Sequence, residues 1–197
     1  MSESKLRHDI AAESAVLATH GWMRGTAGNV SAVLNRNPFR LAVSASGLDK
    51  GALQIADIVD VDEFGQLVHE SDHKPSAESE LHSRIALLTG ADAVVHVHNH
   101  ASVLAGEKYP AGVRLSEIEM LKGIGRPAHD IETIIPVIAN SQDMKVLGNR
   151  FEDAFNPEVP VIIVAGHGLY VWGTSVRQAR FFTESADWLL QLAIARP

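Results

Sequence analysis

Cysteine is absent from this 197-residue sequence, and its absence limits the chemistry that the chain can perform. Without thiols the chain forms no disulfide, which is typical of proteins in a reducing compartment. Any transition metal must be held by nitrogen and oxygen ligands, whereas structural zinc is usually closed off with thiolates. The composition therefore favours catalysis over scaffolding at any metal site in this protein.

Long apolar runs and clusters of basic residues are also missing. No segment approaches the roughly 20 apolar residues of a membrane-spanning helix, and the polar residues 1–5 lack the apolar core of a signal peptide. Lysine and arginine total 17 against 24 aspartates and glutamates, a formal net charge of -7. Because nucleic-acid-binding proteins concentrate positive charge, we expect a cytoplasmic protein without nucleic-acid or membrane partners. An anionic small substrate is compatible with this charge, since local backbone amides can bind an anion.

Hydrophobic periodicity and turn residues predict helices that lie between pairs of strands. Helices are predicted over 9–20, 75–88, 101–105, 117–123 and 142–155, and after a cap at Thr174 or Ser175. Strands are predicted over 30–34, 40–45, 58–62, 66–69, 93–98, 133–138, 161–165 and 169–172. This order predicts one domain over residues 1–197, with a mixed or mostly antiparallel sheet covered by helices and with 1–8 as a flexible tail.

Three histidines form the most informative pattern. His96 and His98 lie two residues apart in an apolar strand, so their side chains share one face. His167 lies between Gly166 and Gly168, which allow the backbone to bend sharply and to approach another element closely. Two core histidines would give the same His-x-His pattern alone. Three imidazoles with an open position are typical of a catalytic zinc site, and we expect all three to bind metal.

The segment Lys74-Pro75-Ser76-Ala77-Glu78 has two interpretations. It is a good helix start, with proline in the first turn and a serine cap. Alternatively, the free helix N–H groups and the Ser76 hydroxyl bind phosphate while Glu78 faces the metal. His82 lies four residues after Glu78, on the same helix face, and is a competing ligand.

Other polar segments are ambiguous when taken singly. Gly28-Asn29 and Ser44-Ala45-Ser46-Gly47 are either simple turns or anion-binding nests. Neither has the glycine and lysine spacing of a P-loop or a dinucleotide-binding loop. Glu117 and Glu119 precede an apolar residue and a glycine, a pattern that by itself indicates an exposed acidic helix start.

The order of these motifs resembles the class II aldolase/adducin family over about residues 9–192. The shared motifs are Gly28-Asn29-Val30-Ser31, Ser44-Ala45-Ser46-Gly47, Lys74-Pro75-Ser76-Ala77-Glu78, His96-Val97-His98 and Gly166-His167-Gly168. The resemblance implies an α/β fold, specifically a single-domain three-layer α/β/α fold with a central mixed, mostly antiparallel sheet. It also implies a small-molecule sugar phosphate as substrate and a homotetramer with its sites at subunit contacts.

Within the family, the segments 45–51, 119–124 and 166–173 resemble those of its dehydratases. This resemblance implies one zinc ion per subunit on His96, His98 and His167, and Glu119 as the acid/base of dehydration. Glu78 matches a catalytic and metal-site glutamate of the aldolases, so here it is a fourth ligand, a base or a spectator. The residues implied to surround the substrate phosphate are Asn29, Ser44, Ser46, Gly47, Lys50 and Ser76.

Two alternatives stay open at this point. A sugar-phosphate aldolase or a ribulose-phosphate 4-epimerase would use the same metal and phosphate site, and Glu78 supports that interpretation. A non-catalytic, adducin-like assembly module need not keep metal ligands, whereas this chain has all three histidines. Zinc hydrolysis is disfavoured because no His-Glu-x-x-His signature occurs.

Overall fold

The computed structural model of the chain describes residues 2–126 and 131–196. The α-helices are α1 Glu3–Thr19, α2 Ser79–Thr89, α3 His100–Lys108, α4 Met144–Ala154 and α5 Val176–Ala195. The strands are β1 Asn29–Arg36, β2 Phe39–Ser44, β3 Ile58–Val61, β4 Ala93–Val97, β5 Val113–Leu115, β6 Thr133–Ile135, β7 Val137–Ile138, β8 Val161–Val164 and β9 Gly168–Gly173. Two 3-10 helices cover Ile55–Asp57 and Glu119–Ile124.

Seven strands form one sheet in the order β3-β2-β1-β4-β9-β8-β7. The β7–β8 pair is parallel and the other pairs are antiparallel, which confirms the mixed, mostly antiparallel sheet. Strand β4 is central, and its residue His96 lies opposite Asn29 on β1 and Tyr170 on β9. The register therefore brings together three polar side chains that are far apart in sequence.

Helices cover both faces of the sheet. Val95 and Val97 of β4 join a buried cluster with residues of α1, α3 and α5, such as Leu17, Ala105 and Leu189. Val94 and Tyr170 join a second cluster with residues of α2 and α4. Alternate residues of β4 thus face opposite helical layers, and the three-layer prediction is confirmed. Among the described residues, no helix is both long and apolar enough to cross a membrane.

The start of the chain differs from the prediction. The expected flexible tail over 1–8 is wrong for residues 3–8, because these form the first turns of α1; residue 1 lies outside the described residues. The Ser2 hydroxyl caps this helix by accepting a hydrogen bond from the Lys5 N–H. The Arg7 guanidinium donates to the Ile58 carbonyl (2.8 Å) and to the Asp60 carboxylate (2.5 Å). These contacts hold the first turns of α1 against β3.

Other element boundaries shift for local reasons. Helix α2 begins at Ser79 with Glu78 as its N-cap, so Pro75 and Ser76 lie in the preceding loop. The predicted strand 133–138 is divided at Pro136, which has no N–H for a sheet hydrogen bond. The predicted strand 66–69 reduces to a single bridge between Val61 and Leu67.

Candidate active site

His96, at the end of β4, is the most constrained of the three histidines. Its Nδ1–H donates to the Leu169 carbonyl oxygen at 3.0 Å, which fixes the tautomer that leaves Nε2 as a lone-pair donor. Its ring stacks on Tyr170, with centroids 4.0 Å apart and planes 14° apart. The side chain is fully buried. His96 therefore presents Nε2 in one direction with little freedom to turn.

The other two histidines bring their Nε2 atoms to the same point. Nε2 of His96 lies 2.9 Å from that of His98 and 3.3 Å from that of His167. The fourth group is Glu78, whose Oε1 lies 3.1 Å from Nε2 of His167 and 3.4 Å from Nε2 of His96. The four ligand atoms lie within 4.8 Å of one another. We call Glu78, His96, His98 and His167 the metal cluster.

Glycines around His167 allow this convergence. Gly166 has φ +66°, a left-handed conformation that favours glycine. A Cβ atom at Gly168 would collide with the Val97 carbonyl oxygen, so only glycine permits β9 to approach β4 this closely. The predicted sharp bend and close approach at the Gly-His-Gly turn are both confirmed.

Hydrogen bonds orient Glu78 and keep it ionised. Its Oε2 accepts from Asn29 Nδ2 at 2.7 Å, and the same amide also donates to Ser76 Oγ at 2.9 Å. Burial alone would raise the pKa of Glu78. The charge of His96 and the hydrogen bonds from His167, His96 and Asn29 outweigh burial and hold this pKa below its usual range. Glu78 is therefore an anion at neutral pH.

The donor set fits a divalent metal ion. Burial, together with the charges of His96 and His167, lowers the pKa of His98 to about 4, so its imidazole is neutral at pH 7 and able to bind metal. Nε2 of His96 lies within 3.3 Å of Nε2 of both other histidines, and one cation shared by the three nitrogens would satisfy all of them at once. Three imidazoles with one carboxylate are typical ligands of zinc and of other divalent transition metals.

His82 is not part of the metal cluster, so its role as a competing ligand is not supported. Its Nδ1 instead lies 2.8 Å from the Ser31 hydroxyl, and its ring packs edge-on against Tyr170. Burial, followed by the charge of His96, lowers the pKa of His82 to about 3. His82 is a neutral core histidine behind the site.

A small polar cavity of about 180 Å³ opens beside the metal cluster. Its lining includes Asn29, Ser46, Lys50 and Ser76 together with Glu78 and His98. The buried Lys50 ammonium donates to the Thr26 and Leu48 carbonyls, and burial lowers its pKa. The structure thus brings four of the six predicted phosphate residues to a cavity shared with the metal cluster.

The remaining predicted residues lie elsewhere in the single chain. Ser44 is buried in β2, and its hydroxyl accepts from the Val30 N–H at 3.1 Å, a contact that holds β2 to β1. Gly47 is exposed at a turn where φ is +75°. Glu119 has 69% of its side chain exposed, lies 2.6 Å from Lys122 Nζ and is outside the metal cluster.

Tyr170 is a site residue that the sequence patterns did not single out. Burial, with the charge of Glu78, raises its pKa well above the usual value, so the phenol stays protonated. Alternation along β9 places it on the His96 side of the sheet, but only the pairing of β9 with β4 puts the two rings in contact. The strand period therefore predicts which face Tyr170 lies on. Its contact with His96 depends on the register between β9 and β4, which sequence patterns do not give.

Comparison with known proteins agrees with this fold and cluster. The family model for the class II aldolase and adducin N-terminal domain matches residues 8–194. The chain therefore belongs to the class II aldolase/adducin family.

Several curated relatives are methylthioribulose-1-phosphate dehydratases. The one from Methylococcus capsulatus is 37% identical over 176 residues, covering 87% of this chain and 84% of that protein. The one from Microcystis aeruginosa is 35% identical over 184 residues, covering 89% of this chain and 88% of that protein.

Solved structures share the architecture. YgbL from Klebsiella pneumoniae has a TM-score of 0.79 at 25% identity, covering 98% of this chain and 89% of that one. The l-fuculose-1-phosphate aldolase from Thermus thermophilus has a TM-score of 0.76 at 21% identity, covering 97% of this chain and 94% of that one. At this identity the second comparison shows the fold alone.

Proposed function

We propose that the protein is a zinc-dependent dehydratase that converts 5-methylthioribulose 1-phosphate to 2,3-diketo-5-methylthiopentyl 1-phosphate in methionine salvage. The observation that carries the proposal is the shared lining of the polar cavity and the metal cluster through Glu78 and His98. A phosphate bound in that cavity would hold its ketose against the cluster. The dehydratase names of relatives that are 35–37% identical support the choice of reaction.

Each group in the site has a part in this proposal. Asn29, Ser46, Lys50 and Ser76 bind the phosphate. The three histidines, with Glu78, hold one zinc ion per subunit, which when bound acts as a Lewis acid on the C2 carbonyl of the substrate. The hydrogen bonds on His96 and Glu78 keep the ligands oriented before the substrate arrives.

Glu119 supplies the acid/base step. Its carboxylate takes the C3 proton and returns it to the C4 hydroxyl, which leaves as water. The electron pair of the C3–H bond becomes the C3–C4 double bond of an enol, which then becomes the C3 ketone. Because Glu119 is exposed in one chain, the proposal places it in the site of a neighbouring copy within a homotetramer. The proposal places the enzyme in the cytoplasm, in keeping with the lack of cysteine.

Glu78 supports a second candidate function. Its Oε1 lies within the metal cluster and its side chain also lines the polar cavity, so it is placed to act as a base as well as a ligand. A class II sugar-phosphate aldolase or 4-epimerase would use it in that way. The complete set of three histidines and one carboxylate argues against a non-catalytic adducin-like module.

Turnover of 5-methylthioribulose 1-phosphate by the purified protein tests the proposal. We expect diketone formation that a chelator abolishes and that added zinc restores. If another divalent metal restores activity better than zinc does, the assignment of zinc is wrong. Aldol cleavage of ketose phosphates by metal-loaded protein that is inactive on this substrate would establish the second candidate instead.

The substitution Glu119→Gln tests the acid/base assignment. We expect kcat to fall by about 10² to 10⁴ while one zinc per chain stays bound, because only the proton-transferring group is lost. Glu117→Gln is the matched control, since Glu117 is an exposed carboxylate two residues away, and it should keep near-normal turnover. A Glu119→Gln protein with most of its activity would contradict the assignment.

A further inference from the structure

A second and larger cavity lies on the other side of His98. Its volume is about 430 Å³, and it lies between the segment after α1, the start of α3 and the end of α5. His98 lines both this cavity and the polar cavity described above. One residue of the metal cluster, His98, therefore borders two spaces of different size and chemistry.

Apolar side chains form much of the wall of this second cavity. They include Trp22, Ala101, Leu104 and Ile194. The Trp22 carbonyl accepts the His98 backbone N–H at 3.0 Å, which holds the Trp22 backbone beside His98 of the metal cluster. The indole also stacks on the His20 ring at a centroid distance of 4.6 Å. Leu104 is 49% exposed, an aliphatic surface that an occupant of the cavity would cover.

Two charged groups in the same wall, Asp187 and Arg24, have hydrogen-bond partners within the protein. The buried Asp187 carboxylate accepts from the amides of Asn99 and Gln191, both at 2.5 Å. The Arg24 Nε–H donates to the Gly21 carbonyl at 3.2 Å. The Asp187 carboxylate would repel a phosphate, so the phosphate of a substrate is better bound by the hydroxyls, amide and ammonium of the smaller cavity.

We infer that the second cavity binds the methylthio end of the substrate, with Trp22 and Leu104 as its principal contacts. This inference rests on the proposed function. The substrate carries phosphate on C1 and the thioether on C5, with the reacting carbons between them. Since His98 of the metal cluster borders both cavities, the reacting carbons would lie at the cluster with one end of the substrate in each cavity. Binding of a thioether is stabilised both by contact with an aromatic ring and by burial of its apolar surface.

The test compares two substrates that differ only at C5. One is 5-methylthioribulose 1-phosphate, and the other is 5-deoxyribulose 1-phosphate, in which hydrogen replaces the methylthio group. We expect kcat/KM of the wild-type protein to favour the methylthio substrate by at least about 10-fold, as for other small apolar groups in a pocket. In Trp22→Ala this ratio should fall towards one, with kcat/KM for the deoxy substrate changed by less than about 3-fold.

Leu104→Asp is a second variant at an exposed position, which covers the case in which Trp22→Ala does not fold. It should lower kcat/KM for the methylthio substrate by about 10-fold or more, and far less for the deoxy substrate, because it puts a charge against the thioether. Phe64→Ala, an exposed aromatic on the turn after β3, is the control and should leave the ratio unchanged. Circular dichroism and zinc content confirm that each variant is folded and loaded.

Two contrary outcomes are distinguishable. If both cavity variants reduce kcat/KM equally for both substrates, or weaken inhibition by inorganic phosphate, the methylthio end binds elsewhere and the inference is overturned. If zinc-loaded wild-type protein turns over neither substrate, the proposed function fails and the inference falls with it.

Discussion

At the scale of single residues, the geometry of the metal cluster depends on residues that form hydrogen bonds with its side chains. The Leu169 carbonyl fixes the tautomer of His96, and the Asn29 amide orients Glu78. Such outer partners typically change metal affinity by about 10- to 100-fold when they are removed. The ligands alone therefore describe only part of the site.

His82 provides a pH-dependent prediction at this scale. Its folded pKa is about 3 and its ordinary value is 6.5, so between these values the unfolded chain binds one more proton than the folded chain. The stability due to this residue is present above pH 6.5 and is lost as the pH falls towards 3, by at most about 1.4 kcal/mol per pH unit. His82→Gln cannot titrate, and its free energy of unfolding should depend less on pH across this range.

The measurement is denaturant unfolding of wild-type and variant proteins at several pH values, with chelator present so that metal release does not contribute. His8→Gln, at an exposed histidine of α1, is the control and should keep the wild-type slope. Equal slopes for wild-type and His82→Gln proteins would show that His82 is not held neutral by the fold.

At the scale of elements, strands β4 and β9 and the turn that leads into β9 build the site. His96 lies on β4, His98 just beyond it, and His167 in the turn after β8. Glu78 comes from the N-cap of α2, on the sheet face that the second core cluster covers. The four residues of the metal cluster are thus placed by three separate segments of the chain.

Gly168→Ala tests the close approach of these strands. The added Cβ would meet the Val97 carbonyl and lie 3.3 Å from Cε1 of His96. We expect a loss of about 1–3 kcal/mol in the free energy of unfolding from overpacking, together with weaker zinc binding because His96 is displaced.

Gly166→Ala is the matched control, because its Cβ would meet nothing within 4 Å. It should cost only about 1–2 kcal/mol of backbone strain at positive φ, and it should keep zinc binding. Unfolding and zinc titration measure both effects. Equal zinc affinity in the two variants would contradict the role assigned to Gly168.

At the scale of the whole molecule, the proposed tetramer accounts for the exposed position of Glu119. Phe181 and Trp188 on α5 are also 48% and 45% exposed, and a neighbouring copy in the proposed tetramer could cover them. A site completed by a neighbouring copy would explain why one chain holds the metal cluster but not the proposed acid/base.

Mixing two inactive variants tests this arrangement. Co-expression of Glu119→Gln with His96→Ala should restore up to about one quarter of wild-type activity, because some sites then combine an intact cluster with an intact Glu119 from a neighbour. Glu119→Gln mixed with Glu119→Ala is the control and should stay inactive. Light scattering should give four times the mass of one chain. An active monomer would contradict the tetramer, and a tetramer without complementation would place Glu119 in the site of its own chain.

Sequence patterns determined the three histidines of the metal cluster, the shared face of His96 and His98, the close turn around His167 and the alternation of strand pairs with helices. These properties depend on a short stretch of chain, where the side-chain period and turn residues act locally. The helical start after Ser2 is also a local signal, and the prediction of a tail there overlooked the serine cap. Only the tertiary structure decided three further features. The Asn29 amide donates a hydrogen bond to Glu78, 49 residues away, Lys50 is buried in the polar cavity, and the Ser44 hydroxyl accepts a hydrogen bond from Val30 of β1. Those contacts depend on strand register and on packing between layers, which no single segment of the sequence encodes.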